Sequence, residues 1–305
     1  MFLSTLKAYF EGKKELFEGL KIAELEKEWV KYPVLYLDFN RESYIDMASF
    51  NAALDKILRQ LEEEWGRDEL DTTPSSRFSG LIQRACKKSG KRVVVLIDEY
   101  DKPLISTMEN FALNDEIRTI LKGFYGVLKA EDAYLKFVFL TGVTKFSKVS
   151  VFSDLNQLVD ISLDKQFAEI CGISETELLQ NFQPEIKALA EANNLTYEQA
   201  FAKLKKLYDG YNFAKESADI YNPFSVLNTF AKLDFAYYWF ATCTPTFLAK
   251  HLANTGFEIP ILENNITIAA SSLMDYRAEN DDYIPLLYQS GYLTIKSYEQ
   301  ERNKK

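Results

Sequence analysis

The spacing of apolar residues separates strand-like from helix-like segments along the first half of the chain. Short runs rich in β-branched and aromatic residues predict strands, and apolar residues repeating every three or four positions predict amphipathic helices. The predicted strands are Tyr32–Phe39, Arg92–Glu99, Tyr134–Thr141 and Leu158–Leu163. The predicted helices carry Phe2–Phe10, Ile22–Trp29, Met47–Trp65, Phe78–Ala85 and a segment through Val127 that Asn114 caps. This alternation is typical of an α/β layered domain, and the unbroken apolar run Val93–Ile97 predicts a parallel strand buried on both faces.

After about residue 165 the pattern becomes mostly helical. A last unit consists of a helix over Tyr283–Tyr288, Gly291 as its stop and a strand over Tyr292–Ile295. The pattern therefore predicts an α/β core over residues 1–165 and a mostly helical region over residues 166–305. The helix-start signals are two capping boxes, Ser174 with Glu177 and Thr196 with Gln199, and two N-cap–proline pairs, Asn222–Pro223 and Thr244–Pro245.

Composition narrows the class of protein. The 305 residues are 47% apolar, too apolar for a disordered chain, and no run of about 18 apolar residues could span a bilayer. The net charge of −9 argues against a broad nucleic-acid-binding face. Three scattered cysteines, Cys86, Cys171 and Cys243, indicate reduced, buried thiols and a cytoplasmic location rather than a disulfide framework. One histidine, His251, excludes a His-rich metal site.

The sharpest candidate for chemistry is the acidic pair Asp98–Glu99 at the carboxyl end of the predicted buried strand. Ligands bind at this edge of open α/β sheets, and unpaired buried carboxylates are costly, so a cation is expected to meet them. In nucleotide hydrolases the first acid of such a pair holds Mg²⁺ and the second polarises the attacking water. The alternative is a solvated acidic turn with Lys102 as its counter-charge.

Polar residues also follow the next predicted strand. Thr141 or Thr144 could reach a γ-phosphate or its attacking water by a hydrogen bond, and Lys145 or Lys148 by charge. The alternative is an ordinary strand-exit loop. A phosphate cradle of the form G-x-x-x-x-G-K-[ST] occurs nowhere in the sequence.

Six ordered motifs carry a resemblance to a known family. They are VVVLIDEYDKPL, FVFLTGVTKFSKVSVFSDLNQLVDISLD, YDGYNF, YNPFSVL, YWFATCTPTFL and IPLLYQSGYLTIK. Together, from Leu3 to about Lys296, they resemble the AAA-ATPase-like family, a branch of the P-loop NTPases often joined to a C-terminal PD-(D/E)XK nuclease-like domain. The resemblance implies a P-loop NTPase-like (AAA-like) layered parallel sheet followed by a winged-helix-like lid, with ATP and Mg²⁺ as cofactors.

The resemblance also implies roles for residues. Asp98 matches the Walker B acid that holds the metal, Glu99 the catalytic acid, and Thr144 lies in the segment that resembles the sensor-1 region. Tyr211, Asn212 and Asn222 lie in family motifs, for which capping and packing of the lid is the simplest role. An arginine finger stays open among Arg41, Arg77, Arg84 and Arg118.

Two departures from the family qualify the expected activity. A segment resembling RRFGKS, which carries the Walker A residues, precedes the equivalent of Met1–Leu6 in the family, and the nuclease-like region follows the equivalent of Gln300–Lys305. We therefore expect a chain without its phosphate loop and without the central first strand of the sheet, in which Lys136–Thr141 and Leu158–Ile161 pair directly or leave a gap.

Two functions follow as expectations. The first is an ATPase-like domain with weak or no ATP binding. The second is a non-catalytic interaction or regulatory module of a nuclease-linked, mobile-element or defence protein, with protein partners or self-association, which the 22 Phe and 18 Tyr residues motivate. A nuclease in its own right finds no support in this acidic sequence, and neither membrane nor nucleic acid is an expected partner.

Overall fold

The computed structural model describes residues 2–143, 151–152, 155–214, 217–243, 266–270, 272–274 and 284–298. The chain divides into two compact units. The first unit comprises residues 1–158 and 268–289, and the second comprises residues 159–267 and 290–305. The division into domains at residue 165 stays a prediction, because compactness alone does not define an independently folding domain.

A parallel sheet forms the centre of the first unit. Its strands are β1 (Val34–Asp38), β2 (Val93–Asp98) and β3 (Leu135–Leu140), in the order β1-β2-β3. Every residue of Val93–Ile97 is 0% exposed, so the predicted burial of this strand on both faces is confirmed. The predicted α/β layout with a parallel sheet is also confirmed.

Helices cover this sheet. Leu3 on the first helix packs against Val94 and Leu96 of β2, and the ring of Phe2 meets that of Phe139 of β3 edge-on at 5.4 Å. Because successive strand residues point to opposite faces, Val93, Val95 and Ile97 of β2 face the other layer. The helices of this part are α1 (Phe2–Phe10), α2 (Lys21–Leu25), α3 (Met47–Trp65), α4 (Pro74–Ser89), α5 (Lys102–Ser106) and α6 (Phe111–Ala130).

Two predicted helix boundaries in the first unit are wrong. The second helix ends at Leu25, and Trp29 beyond it has a positive φ of 45°. Helix α6 begins after Asn110, whose side chain accepts the N–H of Leu113, and not at Asn114. Asn114 instead lies buried within α6, where its amide donates to the carbonyl of Leu104.

The predicted fourth strand, Leu158–Leu163, is wrong. Its Val159 is 81% exposed, and Leu158, Ile161 and Leu163 are only partly buried, so the segment does not pack as a core strand. Asp160 accepts hydrogen bonds from the N–H and the hydroxyl of Ser162, and this local turn competes with an extended ladder. Among the described residues, β3 therefore pairs with β2 alone. Of the two predicted alternatives, direct pairing with Leu158–Ile161 does not occur, and a gap stays a prediction.

The second unit is mostly helical. Both predicted capping boxes and the Asn222 cap are confirmed by their hydrogen bonds. The pair Thr244–Pro245 lies outside the described residues. The helices here are α7 (Glu175–Asn181), α8 (Gln183–Ala192), α9 (Tyr197–Tyr208), α10 (Pro223–Lys232) and α11 (Tyr238–Cys243), and α12 (Ile284–Gln289), which belongs to the first unit, follows them along the chain.

The predicted terminal strand, Tyr292–Ile295, is wrong. The hydroxyl of Thr294 accepts the N–H of Asn212 at 2.7 Å, and the ring of Tyr292 packs on that of Trp239 at 5.1 Å. These side-chain contacts, and not the hydrogen bonds of a strand ladder, fix the position of the segment. A winged-helix-like lid stays a prediction.

Two further sequence expectations concern cysteines and membranes. Cys86 is half-buried but Cys171 is exposed, so the prediction of buried thiols is wrong for Cys171. The side chains of Cys243 and His251 lie outside the described residues. Within the part of the chain that the structure describes, no helix is both long and apolar enough to cross a membrane.

Candidate functional site

Three polar residues meet at the carboxyl edge of the sheet. Asp38 ends β1, Asp98 ends β2 opposite it in register, and Thr141 follows β3. The backbone N–H of Thr141 donates to the carbonyl of Ile97 at 2.9 Å, which continues the ladder and brings the threonine hydroxyl to Asp98. The strand ends therefore gather these side chains at the edge where α/β sheets bind ligands.

Two hydroxyl groups hold the carboxylate of Asp98. Tyr36 Oη donates to Oδ2 at 3.0 Å, and Thr141 Oγ1 donates to Oδ1 at 2.7 Å. Burial and the neighbouring Asp98 raise the pKa of Tyr36 to about 12, so this hydroxyl stays a donor at neutral pH. None of the described residues forms an ion pair with Asp98, so its orientation is fixed without its charge being neutralised.

Glu99 adopts a backbone conformation that is rare for a residue other than glycine. Its φ is 49°, and such strain persists only where the surroundings impose it, often at functional sites. Within the described part of the chain Glu99 is paired with Lys102, whose Nζ lies 3.8 Å from Oε2. Burial raises the pKa of Glu99, Lys102 opposes this shift, and the charges of Asp98 and Asp38 add to it.

Asp38 is a third acid at this edge, and the sequence analysis missed it. Its Oδ1 accepts the N–H of Asn40 at 2.9 Å, and its Oδ2 accepts Nε–H of Arg41 at 2.8 Å. The signal was present, because the predicted strand Tyr32–Phe39 carries an acid, Asp38, one residue before its end, as Arg92–Glu99 carries Asp98. Asp38, Asp98 and Glu99 are called the strand-end acids below.

The other predicted site residues lie elsewhere. Thr144, Lys145 and Lys148 lie outside the described residues. Three arginines considered as fingers are engaged with other side chains: Arg77 with Glu62 and Asp55, Arg84 with Asp71, and Arg118 with Asp115 and Asn114. Arg41 is therefore the member of the set that the structure places beside the strand-end acids, while the assignment of a finger stays a prediction.

The strand-end acids fit a magnesium ion as far as their chemistry goes. Mg²⁺ is usually held by one or two carboxylates, with waters and phosphate oxygens completing its shell. Asp98 meets this need, since each oxygen accepts one hydroxyl and keeps a lone pair. Among the described residues, no group of three or more His, Cys, Asp or Glu side chains is arranged to hold a metal ion by itself.

The family motifs of the second unit have structural partners. Asn222 caps α10 by accepting the N–H of Ser225 at 2.9 Å. Asn212 accepts the N–H of Ala214 and the hydroxyl of Ser217, which closes a turn. Tyr211 pairs with Ile220 in an isolated bridge. Capping and packing therefore account for the contacts of these residues.

Comparisons with known proteins identify the first half of the chain. Residues 1–152 match the family model described as "Predicted AAA-ATPase". A protein of Azotobacter chroococcum mcd 1, named "Uncharacterized protein in vnfD 5'region", is 36% identical over 296 residues, which are 97% of this chain and 55% of that protein. The chain thus spans about half the length of this relative. No solved structure matches the chain. Through residues 1–152, the chain belongs to the AAA-ATPase-like family.

Proposed function

We propose that the strand-end acids are the magnesium side of an ATP site. The observation that carries the proposal is Asp98, a carboxylate oriented by two neutral hydroxyls and left with its charge at the ligand-binding edge of a parallel sheet. Membership of the AAA-ATPase-like family supports nucleotide and Mg²⁺ in general terms. The strand order β1-β2-β3 supports a P-loop-like sheet with a further strand beside β3.

The residues would divide the work at this site. Asp98 would hold Mg²⁺, directly or through a water, with Tyr36 and Thr141 keeping its two oxygens in place. Glu99, one residue further, would accept a hydrogen bond from the attacking water and orient it, as positioned carboxylates do in this reaction class. When bound, Mg²⁺ would neutralise charge that develops on the phosphate oxygens.

We propose further that the 305-residue chain binds ATP weakly by itself. Its sequence contains no G-x-x-x-x-G-K-[ST] string, and backbone N–H groups of such a loop supply most contacts to the phosphates. The chain also spans 55% of its Azotobacter relative, so hydrolysis by a whole protein of that length is part of the proposal and not of the finding.

Manganese binding tests the metal site directly. Mn²⁺ is the paramagnetic probe, and electron spin resonance counts the free ion in titrations of the native chain and of Asp98→Asn. We expect Asp98→Asn to weaken Mn²⁺ at least about tenfold. The matched control is Asp132→Asn, an exposed acid before β3, which should bind like the native chain. Equal affinity in Asp98→Asn and the native chain would refute the site.

Calorimetry with Mg·ATP tests the second part of the proposal. We expect weak binding or none and no turnover. Micromolar binding with turnover that disappears in Glu99→Gln would show that the chain is an active ATPase and would overturn the proposed weakness.

A second candidate, an interaction module, is favoured by an aromatic group on the second unit. Tyr237 is 65% exposed and Phe240 is 53% exposed, and their rings lie 6.3 Å apart. Trp239 and Tyr292 contact Phe240 and extend the group. Exposed aromatic clusters are typical of protein–protein contacts. Sedimentation over a range of concentrations tests self-association, which Phe240→Ser should abolish, and a monomer at all concentrations would count against self-association.

A further inference from the structure

The turn after β2 contains a fourth acid, Asp101, that the proposed metal site does not use. Asp101 is 0% exposed. Its backbone carbonyl accepts the N–H groups of Leu104 and Ile105 and so begins α5. Its side chain reaches β3's end instead, where Oδ1 accepts the N–H of Val143 at 3.2 Å. A fully buried carboxylate needs such donors, and this one finds a donor in the chain that leaves the neighbouring strand.

The chain that leaves β3, Thr141–Val143, is called the exit loop here. It approaches Asp101 so closely that Gly142 has no room for a side chain. A Cβ atom at this position would lie 2.5 Å from Asp101 Oδ1 and 2.7 Å from Cε1 of Tyr100. The close approach of the exit loop to Asp101 therefore requires a glycine at position 142. Any side chain there would force the loop and the Asp101 carboxylate apart.

The exit loop also bonds to two other residues of the turn. The N–H of Tyr100 donates to the carbonyl of Thr141 at 2.9 Å, and the hydroxyl of Thr141 donates to Asp98 at 2.7 Å. Asp98, Tyr100 and Asp101 are thus all bonded to the exit loop, on both sides of Glu99. These bonds define the backbone around Glu99 and explain how its φ of 49° is maintained.

We propose that Asp101 is a positioning residue: its carboxylate fastens the exit loop to the acid turn and thereby sets the direction of Glu99 and the donor to Asp98. Asp101 acts through the exit loop and is not itself assigned as a ligand of metal or nucleotide. The inference rests on the proposed function, because it concerns how the acids of that site are held. A purely structural acid would change stability without changing the Mn²⁺ affinity of the folded chain.

Two substitutions of equal charge separate positioning from electrostatics. Asp101→Asn keeps an oxygen that can accept the N–H of Val143, and Asp101→Ala does not. We expect Asp101→Ala to weaken Mn²⁺ about tenfold or more and to lose the hydrogen-exchange protection of the Val143 amide. Asp101→Asn should stay within about threefold of the native affinity and keep this protection.

A third variant, Gly142→Ala, disrupts the same contact from the exit loop and replaces Asp101→Ala in the test if that variant does not fold. Gly142→Ala leaves every charge in place and pushes a Cβ into the Asp101 carboxylate, so we expect it to weaken Mn²⁺ about tenfold as well. Equal weakening in Asp101→Asn and Asp101→Ala would show that only charge matters and would overturn the proposal. Native affinity in folded Asp101→Ala or in folded Gly142→Ala would overturn it too.

A native chain that binds no Mn²⁺ would refute the proposed function, and the Val143 amide then decides the inference by itself. Protection lost in Asp101→Ala and kept in Asp101→Asn would support the fastening of the exit loop. Unchanged protection in Asp101→Ala would refute it.

Discussion

The first unit treats two groups of carboxylates in opposite ways. On α3, Glu62 and Asp55 meet Arg77 of α4: Nε and Nη2 of the arginine donate to the two oxygens of Glu62 at 2.7 and 2.9 Å, and Nη1 donates to Asp55 at 2.7 Å. At the carboxyl edge of the sheet, the partners of Asp98 among the described residues are hydroxyl groups, and that of Glu99 is a lysine at 3.8 Å.

The difference shows which acids the fold has neutralised and which it has not. Arg77 lowers the pKa of Glu62, whereas burial raises the pKa of Glu99. The helix acids are paired by a bidentate arginine, and their charge is balanced within the chain. At the strand ends Asp38 is paired with Arg41 and Glu99 lies near Lys102, whereas Asp98 is held by two neutral hydroxyls and by no cation among the described residues, as a site for an external cation requires.

The largest effect on stability is expected from removing Arg77, which pairs with the helix acids Glu62 and Asp55. Arg77→Met removes both hydrogen bonds to Glu62, whose side chain is 7% exposed, and leaves this buried charge with the more distant Arg67 at 3.8 Å. We expect a loss of about 3 to 5 kcal/mol in the free energy of unfolding, measured by urea denaturation.

The matched control is Arg59→Met, which removes an arginine 68% exposed from the same Asp55. It should cost less than about 1 kcal/mol. Replacing the buried pair together, as Arg77→Met with Glu62→Leu, should recover most of the stability. Similar losses for Arg77→Met and Arg59→Met would erase the contrast between a buried and a surface arginine.

The pH dependence of stability should have opposite signs for the two groups. Because the pKa of Glu62 is lowered on folding, its stabilisation is complete above the unfolded value and is lost as pH falls below about 5. Because the pKa of Glu99 is raised, its contribution is most favourable below about pH 4 and declines as pH rises through the folded value.

Glutamine variants isolate these slopes. The stability difference between the native chain and Glu62→Gln should grow from about pH 3 to pH 5. That between the native chain and Glu99→Gln should shift against the native chain from about pH 4 upward. Urea denaturation at a series of pH values measures both. Slopes of the same sign would contradict the comparison.

The smallest test concerns a single hydroxyl. Tyr36→Phe removes one of the two donors to Asp98 and should cost about 0.5 to 1.5 kcal/mol of stability, with several-fold weaker Mn²⁺ binding. Tyr32→Phe is the control, because Tyr32 lies two residues before β1 and no described residue is hydrogen-bonded to its hydroxyl. Identical Mn²⁺ affinities in the two variants would mean that Tyr36 does not orient the carboxylate.

Much of the fold could be predicted from local pattern. The apolar run of β2, the amphipathic helix α3 and the cap of Asn222 depend on neighbours in sequence, and all three are confirmed. The errors depend on distant partners. Asn114 resembles a cap, but its amide satisfies a carbonyl of α5, and Leu158–Leu163 resembles a strand, but Val159 has no layer to pack against.

The candidate site was predictable only along one strand. Asp98 and Glu99 stand out because they end a buried run. Tyr36, Asp38 and Asp101 gain their roles from pairing in register and from the exit loop, and neither can be read from spacing along the chain. The physical reason is that a parallel sheet joins residues that are far apart in sequence.

The register of the sheet has a consequence for how the protein is made. Val34 pairs with Val94, and Val94 pairs with Phe137, so each ladder must wait until the intervening helices have been synthesised. Non-local parallel pairings form slowly and late. A nascent chain halted before residue 135 therefore presents β2 with a bare side and Asp98 without its threonine donor, and the acids reach their final geometry only when the ribosome has released the exit loop.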